Sequence, residues 1–196
     1  MFSTPIYTVP NFVSLIRIFL APVLLMAGMT GREDLFLWGF AGSLLTDFLD
    51  GFLARLLDQQ SKLGSQLDTI GDVLTGAVVI LGGLLLWPDL IRYEAGWFAA
   101  LVVMLASSGL VTLLAYRHLP SYHTWCAKLS TAVLGLGVWV LFSGLTPWVF
   151  RAGVIVLVIS AIEEIAITLI LPAWRPNVPH IFYAVKLRNA AEENTE

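Results

Sequence analysis

The chain has 196 residues, 58% of them hydrophobic and 13% charged, with a formal net charge of −3. A soluble domain carries roughly 25% charged residues, so this composition excludes a soluble globular protein, and its mildly acidic balance offers nothing to a nucleic-acid partner. With one cysteine, Cys126, an internal disulfide is excluded as well.

In chain order, the N-terminal stretch MFSTPIYTVPN has no Lys or Arg ahead of its apolar run and no small-residue cleavage site after it, so a signal peptide is not expected. Six apolar windows follow, at about 12–29, 35–56, 67–88, 95–116, 126–145 and 148–171. Each can cross ~30 Å of hydrocarbon as a helix. The breaks MTGRED, DQQSKLGSQ, WPDLIRYE, YRHLPSYH and SGLTPW separate them, and LPAWRPNVP ends the last. The expected fold is all-α: a polytopic bundle of six transmembrane helices over residues 1–171, followed by a polar tail, 172–196, lying on the surface or frayed.

With six spans both termini share a side. Arg17, Arg55, Lys62, Arg117, Lys128, Arg175, Lys186 and Arg188 fall there, against Arg32, Arg92 and Arg151 opposite. That excess puts the termini in the cytoplasm. Trp87, Trp97 and Trp148 lie near span ends as interface anchors, and Trp139 is expected in the core.

The junction of the second and third windows reads TDFLDGFLARLLDQQSKLGSQLDTIGD. Asp47 and Asp50 are three apart and Asp68 and Asp72 four apart, so each pair shares a helix face, and a hairpin brings the faces together. An ionised Asp at the bilayer centre costs about 2.5–3.5 kcal/mol. Four cost roughly 10 kcal/mol, comparable with the ~5–15 kcal/mol stability of a whole domain. A bound cation resolves the conflict. Carboxylates without His or Cys suit Mg²⁺, Mn²⁺ or Ca²⁺, and two divalent ions balance four carboxylates. The bland reading, helix caps or loop residues, is kept for Asp58. Ala54, four after Asp50, and Gly64, four before Asp68, border the acidic face with small residues. Small residues also serve plain helix packing.

The order Asp47, Asp50, Gly51, Ala54, Arg55, eight residues, Gly64, Asp68, Asp72 resembles the signature D-x-x-D-G-x-x-A-R, spacer, G-x-x-x-D-x-x-x-D of the CDP-alcohol phosphotransferases at every fixed position. VPNFVSLIRIFLAP is similar to the P-N-x-x-[ST]-x-x-R opening of the family's bacterial branch, through Pro10, Asn11, Ser14 and Arg17, and AKLST at Lys128 is similar to the start of its fifth helix. The resemblance implies transfer of a phosphatidyl group from CDP-diacylglycerol to a polar alcohol, with release of CMP. It further implies two Mg²⁺ or Mn²⁺ ions on Asp47, Asp50, Asp68 and Asp72, Asp72 as general base, and Gly51, Ala54, Arg55 and Gly64 around the nucleotide. A homodimer in a bacterial cytoplasmic membrane, with its site facing the cytoplasm, completes the expectation.

The acceptor is less legible. Arg117, His118, His123, Lys128 and Arg175 can form a cationic pocket for glycerol 3-phosphate, or merely reflect positive-inside topology. Val73 after Asp72 and a fourth span lacking an Arg-Glu pair depart from phosphatidylglycerophosphate synthases, so serine, inositol phosphate and phosphatidylglycerol remain alternatives. Glu163 and Glu164 in ISAIEEIAITLI lie outside the signature and receive no catalytic role. They leave a second class open, a divalent-cation transporter with a second acidic station. Against it, the chain shows no internal repeat.

Overall fold

A computed structural model describes residues 8–57, 59, 62–117, 124–171 and 178–193. Among the described residues there are eight helices and no strand: α1 Val9–Met29, α2 Glu33–Leu56, α3 Lys62–Leu86, α4 Pro88–Tyr93, α5 Ala95–Tyr116, α6 Trp125–Phe142, α7 Trp148–Ile170 and α8 Ile181–Glu193. The chain divides into two compact units, one ending at Tyr93 and the other beginning at Glu94.

Among the described residues, five helical segments are long and apolar enough to cross a membrane: Val9–Met29, Gln66–Leu86, Ala95–Tyr116, Trp125–Phe142 and Trp148–Ile170. These coincide with five of the six expected windows. The remaining window is α2, which at 24 residues has the length, but it carries Asp47 and Asp50 in its interior and is not among the apolar five. WPDLIRYE contains the six-residue helix α4, and the expected polar tail contains α8.

In the first unit α1 packs against both α2 and α3. Its start is fixed by Thr8, whose side chain accepts from Asn11 N at 3.3 Å, with a proline in the first turn. Its buried face is a stripe at three- and four-residue spacing: Asn11, Ser14 and Arg17, then Ala21, Leu24 and Gly28. Phe12, Phe19 and Met26 point outward from the same helix, as lipid-facing side chains do. The inner stripe is thus polar over its first two turns and apolar beyond. Ser43 and Thr75 hydroxyls meet at 3.2 Å and tie α2 to α3 in the interior.

The second unit is built on α7. A Cβ on Gly137 would lie 2.6 Å from Phe150 Cα, and one on Gly153 would lie 2.9 Å from Leu134 Cα. Only glycine lets α6 and α7 approach so closely. On another side of α7, Thr112 and Thr168 hydroxyls lie 3.2 Å apart, and Tyr116 Oη, with one hydrogen to donate, lies 2.6 and 2.7 Å from the carbonyl oxygens of Thr168 and Leu171. At the start of α7, Arg151 donates to both carboxylate oxygens of Glu94 at 3.0 and 2.6 Å, flanked by Trp97 and Trp148. Helix α8 closes the far end through Ile167, Leu171, Val178 and Ala184.

Candidate active site

All four aspartates converge on one guanidinium. Arg17 Nη1 donates to Asp47 Oδ1 and, at 2.8 Å, to Asp72 Oδ1. Nη2 donates to Asp50 Oδ2 at 3.0 Å and to Asp68 Oδ1 at 2.7 Å. The spacing in sequence explains the arrangement: Asp47 and Asp50 lie one turn apart on α2, Asp68 and Asp72 one turn apart on α3, and α1 lies against both helices.

The four carboxylates are not equivalent. Asp50 is buried, and its Oδ2 also accepts from Ser14 Oγ at 2.8 Å. Its orientation is therefore fixed from two sides. Asp47 and Asp68 are partly exposed, and Asp72 is the most open, with 55% of its side chain accessible. Room for the arginine comes from Gly71: a Cβ there would lie 2.8 Å from Arg17 Nε.

These residues fit a divalent cation. Asp47, Asp50 and Asp68 each offer a carboxylate oxygen within 4.8 Å of the others, and an all-oxygen, all-anionic donor set is the kind that hard cations take. The guanidinium shows independently that the spot gathers positive charge.

Of the other residues singled out by sequence, Gly51 follows buried Asp50 and is exposed, while Ala54 and Gly64 are half-buried beside the pair of helix ends. For Arg55 the helix position in α2 is described but not its side chain. Lys128 and Arg117 belong to the second unit and are both exposed. Lys128 sits 5.1 Å from the Trp125 ring centroid, and Arg117 ends α5 in the left-handed region at φ 56°. His118, His123 and Arg175 lie outside the described residues.

Glu164 accepts from Ser108 Oγ, and Glu163 Oε1 accepts from the backbone N–H of Ile181 at 3.2 Å. Both acids are thus engaged with α5 and α8.

In the sequence Ser14 and Arg17 stand out through the opening motif they share with the family, but that motif does not foretell that Arg17 meets the four aspartates. Asn11, Ser14 and Arg17 recur every three residues along one side of an otherwise apolar helix. That polar stripe was the available signal.

Comparison with known proteins identifies the family of the chain. The family described as CDP-alcohol phosphatidyltransferase matches residues 7–171. Human cardiolipin synthase (CMP-forming) is 37% identical over 120 residues, 60% of this chain and 38% of the relative's length. A CDP-diacylglycerol–glycerol-3-phosphate 3-phosphatidyltransferase of Cereibacter sphaeroides is 31% identical over 144 residues, 67% of this chain and 64% of the relative. A CDP-diacylglycerol–serine O-phosphatidyltransferase of Helicobacter pylori is 32% identical over 89 residues, 45% of this chain and 34% of the relative. In each case the chain spans less than two thirds of the relative's own length. No solved structure gives a significant match.

Proposed function

The chain belongs to the CDP-alcohol phosphatidyltransferase family, and on that premise we propose that it is an integral membrane enzyme of phospholipid synthesis that moves the phosphatidyl group of CDP-diacylglycerol onto an alcohol and releases CMP. The observation that carries this reading is the convergence of Asp47, Asp50, Asp68 and Asp72 on a single cationic group.

In this reading Asp47, Asp50 and Asp68 would hold two divalent ions, Mg²⁺ or Mn²⁺, with Asp72 as a further oxygen donor. Such ions, when bound, offset the diphosphate's charge and stabilise the departing CMP. Asp50, buried and held by Ser14 and Arg17, suits a ligand that must not move. Asp72, open on one side, suits the group that meets the incoming alcohol. It takes the hydroxyl proton as the alcohol oxygen forms its bond to the lipid-linked phosphorus and the bond from that phosphorus to the CMP oxygen breaks. Gly51, Ala54, Arg55 and Gly64 line the cytidine and diphosphate, where absent or small side chains let a flat group approach the backbone.

Glycerol 3-phosphate is the acceptor we favour. The name of the Cereibacter sphaeroides relative supports it, as do the exposed cations Lys128 and Arg117 and, in sequence, His123. Phosphatidylglycerol is the second reading, favoured by the 37% identity with a cardiolipin synthase. The excess of Lys and Arg at one set of span ends supports a site facing the cytoplasm; a bacterial cytoplasmic membrane and a homodimer are the setting and assembly we expect.

Nucleotide protection tests the reading against a cation transporter. In detergent, CDP or CMP should raise the thermal midpoint with Mn²⁺ present and not with chelator. Indifference to both nucleotides under either condition would contradict it.

A further inference from the structure

We propose that Arg17 is a resident counter-cation of the aspartate site, competing with divalent ions for the same carboxylates and holding the site together in their absence. The proposal rests on the metal-centre reading above.

The hydrogen-bond inventory of the guanidinium points to this role. It has five N–H bonds, carries a permanent charge and cannot accept. All four terminal N–H groups are used, and each goes to a different aspartate. The fifth, on Nε, is buried with no partner. Among the described residues, then, the head group's polar partners are the carboxylates alone. An arginine built only to brace helices would be expected to use backbone carbonyls as well. This one is 1% exposed, and among the described residues nothing polar except the aspartates holds its head in place.

The three oxygens within 4.8 Å of one another belong to Asp47, Asp50 and Asp68, each of which is already bonded to Arg17. Guanidinium and divalent ion therefore draw on one set of donors. Charge gives the competition its direction. One guanidinium offsets one of four carboxylates, and the three remaining negative charges still favour a cation. A positive charge lodged among the ligands opposes that cation over a few ångströms in a poorly screened setting. The site is thereby kept assembled when metal-free, at the expense of metal affinity.

The test uses the purified full chain with Mn²⁺ as the only probe, and neither donor nor acceptor. Arg17→Met keeps an unbranched apolar stem and removes the charged head group, while Arg17→Lys keeps the charge and loses the fork. Thermal midpoints are measured in chelator and in Mn²⁺, and free Mn²⁺ is counted by electron paramagnetic resonance. We expect Arg17→Met to have a lowered midpoint in chelator, restored by Mn²⁺, with Mn²⁺ affinity raised by about tenfold or more. Arg17→Lys should fall between it and the unaltered protein.

Equal Mn²⁺ affinity in the unaltered protein and Arg17→Met would overturn the proposal. So would a stability loss that Mn²⁺ does not reverse, including failure to obtain folded Arg17→Met when Mn²⁺ is kept present throughout. Mn²⁺ binding to none of the proteins would remove the metal centre and this proposal with it. Binding of equal strength to all would remove the proposal alone.

Discussion

Arg17 and Asp50 form an ion pair at 3.0 Å with 1% and 6% of their side chains exposed, the most enclosed of the four contacts the guanidinium makes. Asp50→Asn leaves Arg17 three carboxylates, so the fold should survive. What it removes is the anionic ligand whose orientation Ser14 fixes. We predict loss of Mn²⁺-dependent protection by CDP in a protein that still melts cooperatively. Nucleotide protection at the unaltered level would count against Asp50 as a ligand.

Asp72 differs from Asp50 in being open to solvent on one side. Asp72→Asn should retain CDP binding and lose turnover by about 10²–10⁴-fold, the range for a missing general base. Thermal shift and CMP release measured on one preparation separate the two effects. Turnover like that of the unaltered protein would refute the base assignment.

Gly71→Ala places a methyl 2.8 Å from Arg17 Nε and 3.5 Å from its Cδ. Alanine favours a helix by about 1 kcal/mol, and overpacking costs about 1–3 kcal/mol. The head group is pinned by four bonds, so the clash should win, with a lowered midpoint and reduced turnover. Gly76 in the same helix has nothing within 4 Å of its added Cβ. Gly76→Ala is the control, expected to be neutral or slightly stabilising.

Glu94 is 1% exposed, and both oxygens of its carboxylate accept from Arg151. Arg151→Leu strands that carboxylate and should destabilise by about 3–5 kcal/mol. Adding Glu94→Gln should recover much of the loss. A single-variant effect below about 1 kcal/mol would mean the pair is dispensable.

Glu163 Oε1 accepts from the first N–H of α8, where a negative charge also favours the helix dipole. Glu163→Ala should loosen α8 by about 0.5–2 kcal/mol, the range for a lost cap, while α7 stays protected. Hydrogen exchange at residues 181–184 reads this directly; unchanged exchange there would assign the docking to the apolar contacts of Ala184 and Val178 alone.

The sequence made the acidic pairs legible because helical periodicity is local: a spacing of three in α2 and four in α3 is enough to put each pair on one face. Arg17 was hidden because its partners stand 30 to 55 residues away, and no local rule reports which helix packs in between. The same distance hid Ser14 behind Asp50 and Ser108 beside Glu164, separations of 36 and 56 residues. WPDLIRYE read as a break because Pro88 and three charges signal one, yet that proline stands at the first position of α4, where helices accept it. Hydrophobicity found the apolar spans and was least informative for α2, because the residues that make the site also make that helix polar.

The most direct test of the central claim is CMP release by the purified chain supplied with CDP-diacylglycerol and Mn²⁺ or Mg²⁺, and in turn with glycerol 3-phosphate, phosphatidylglycerol, serine and inositol phosphate. Release is expected with one acceptor, glycerol 3-phosphate first among them, and should be abolished by chelator. Folded protein that releases no CMP with any of the four would contradict it.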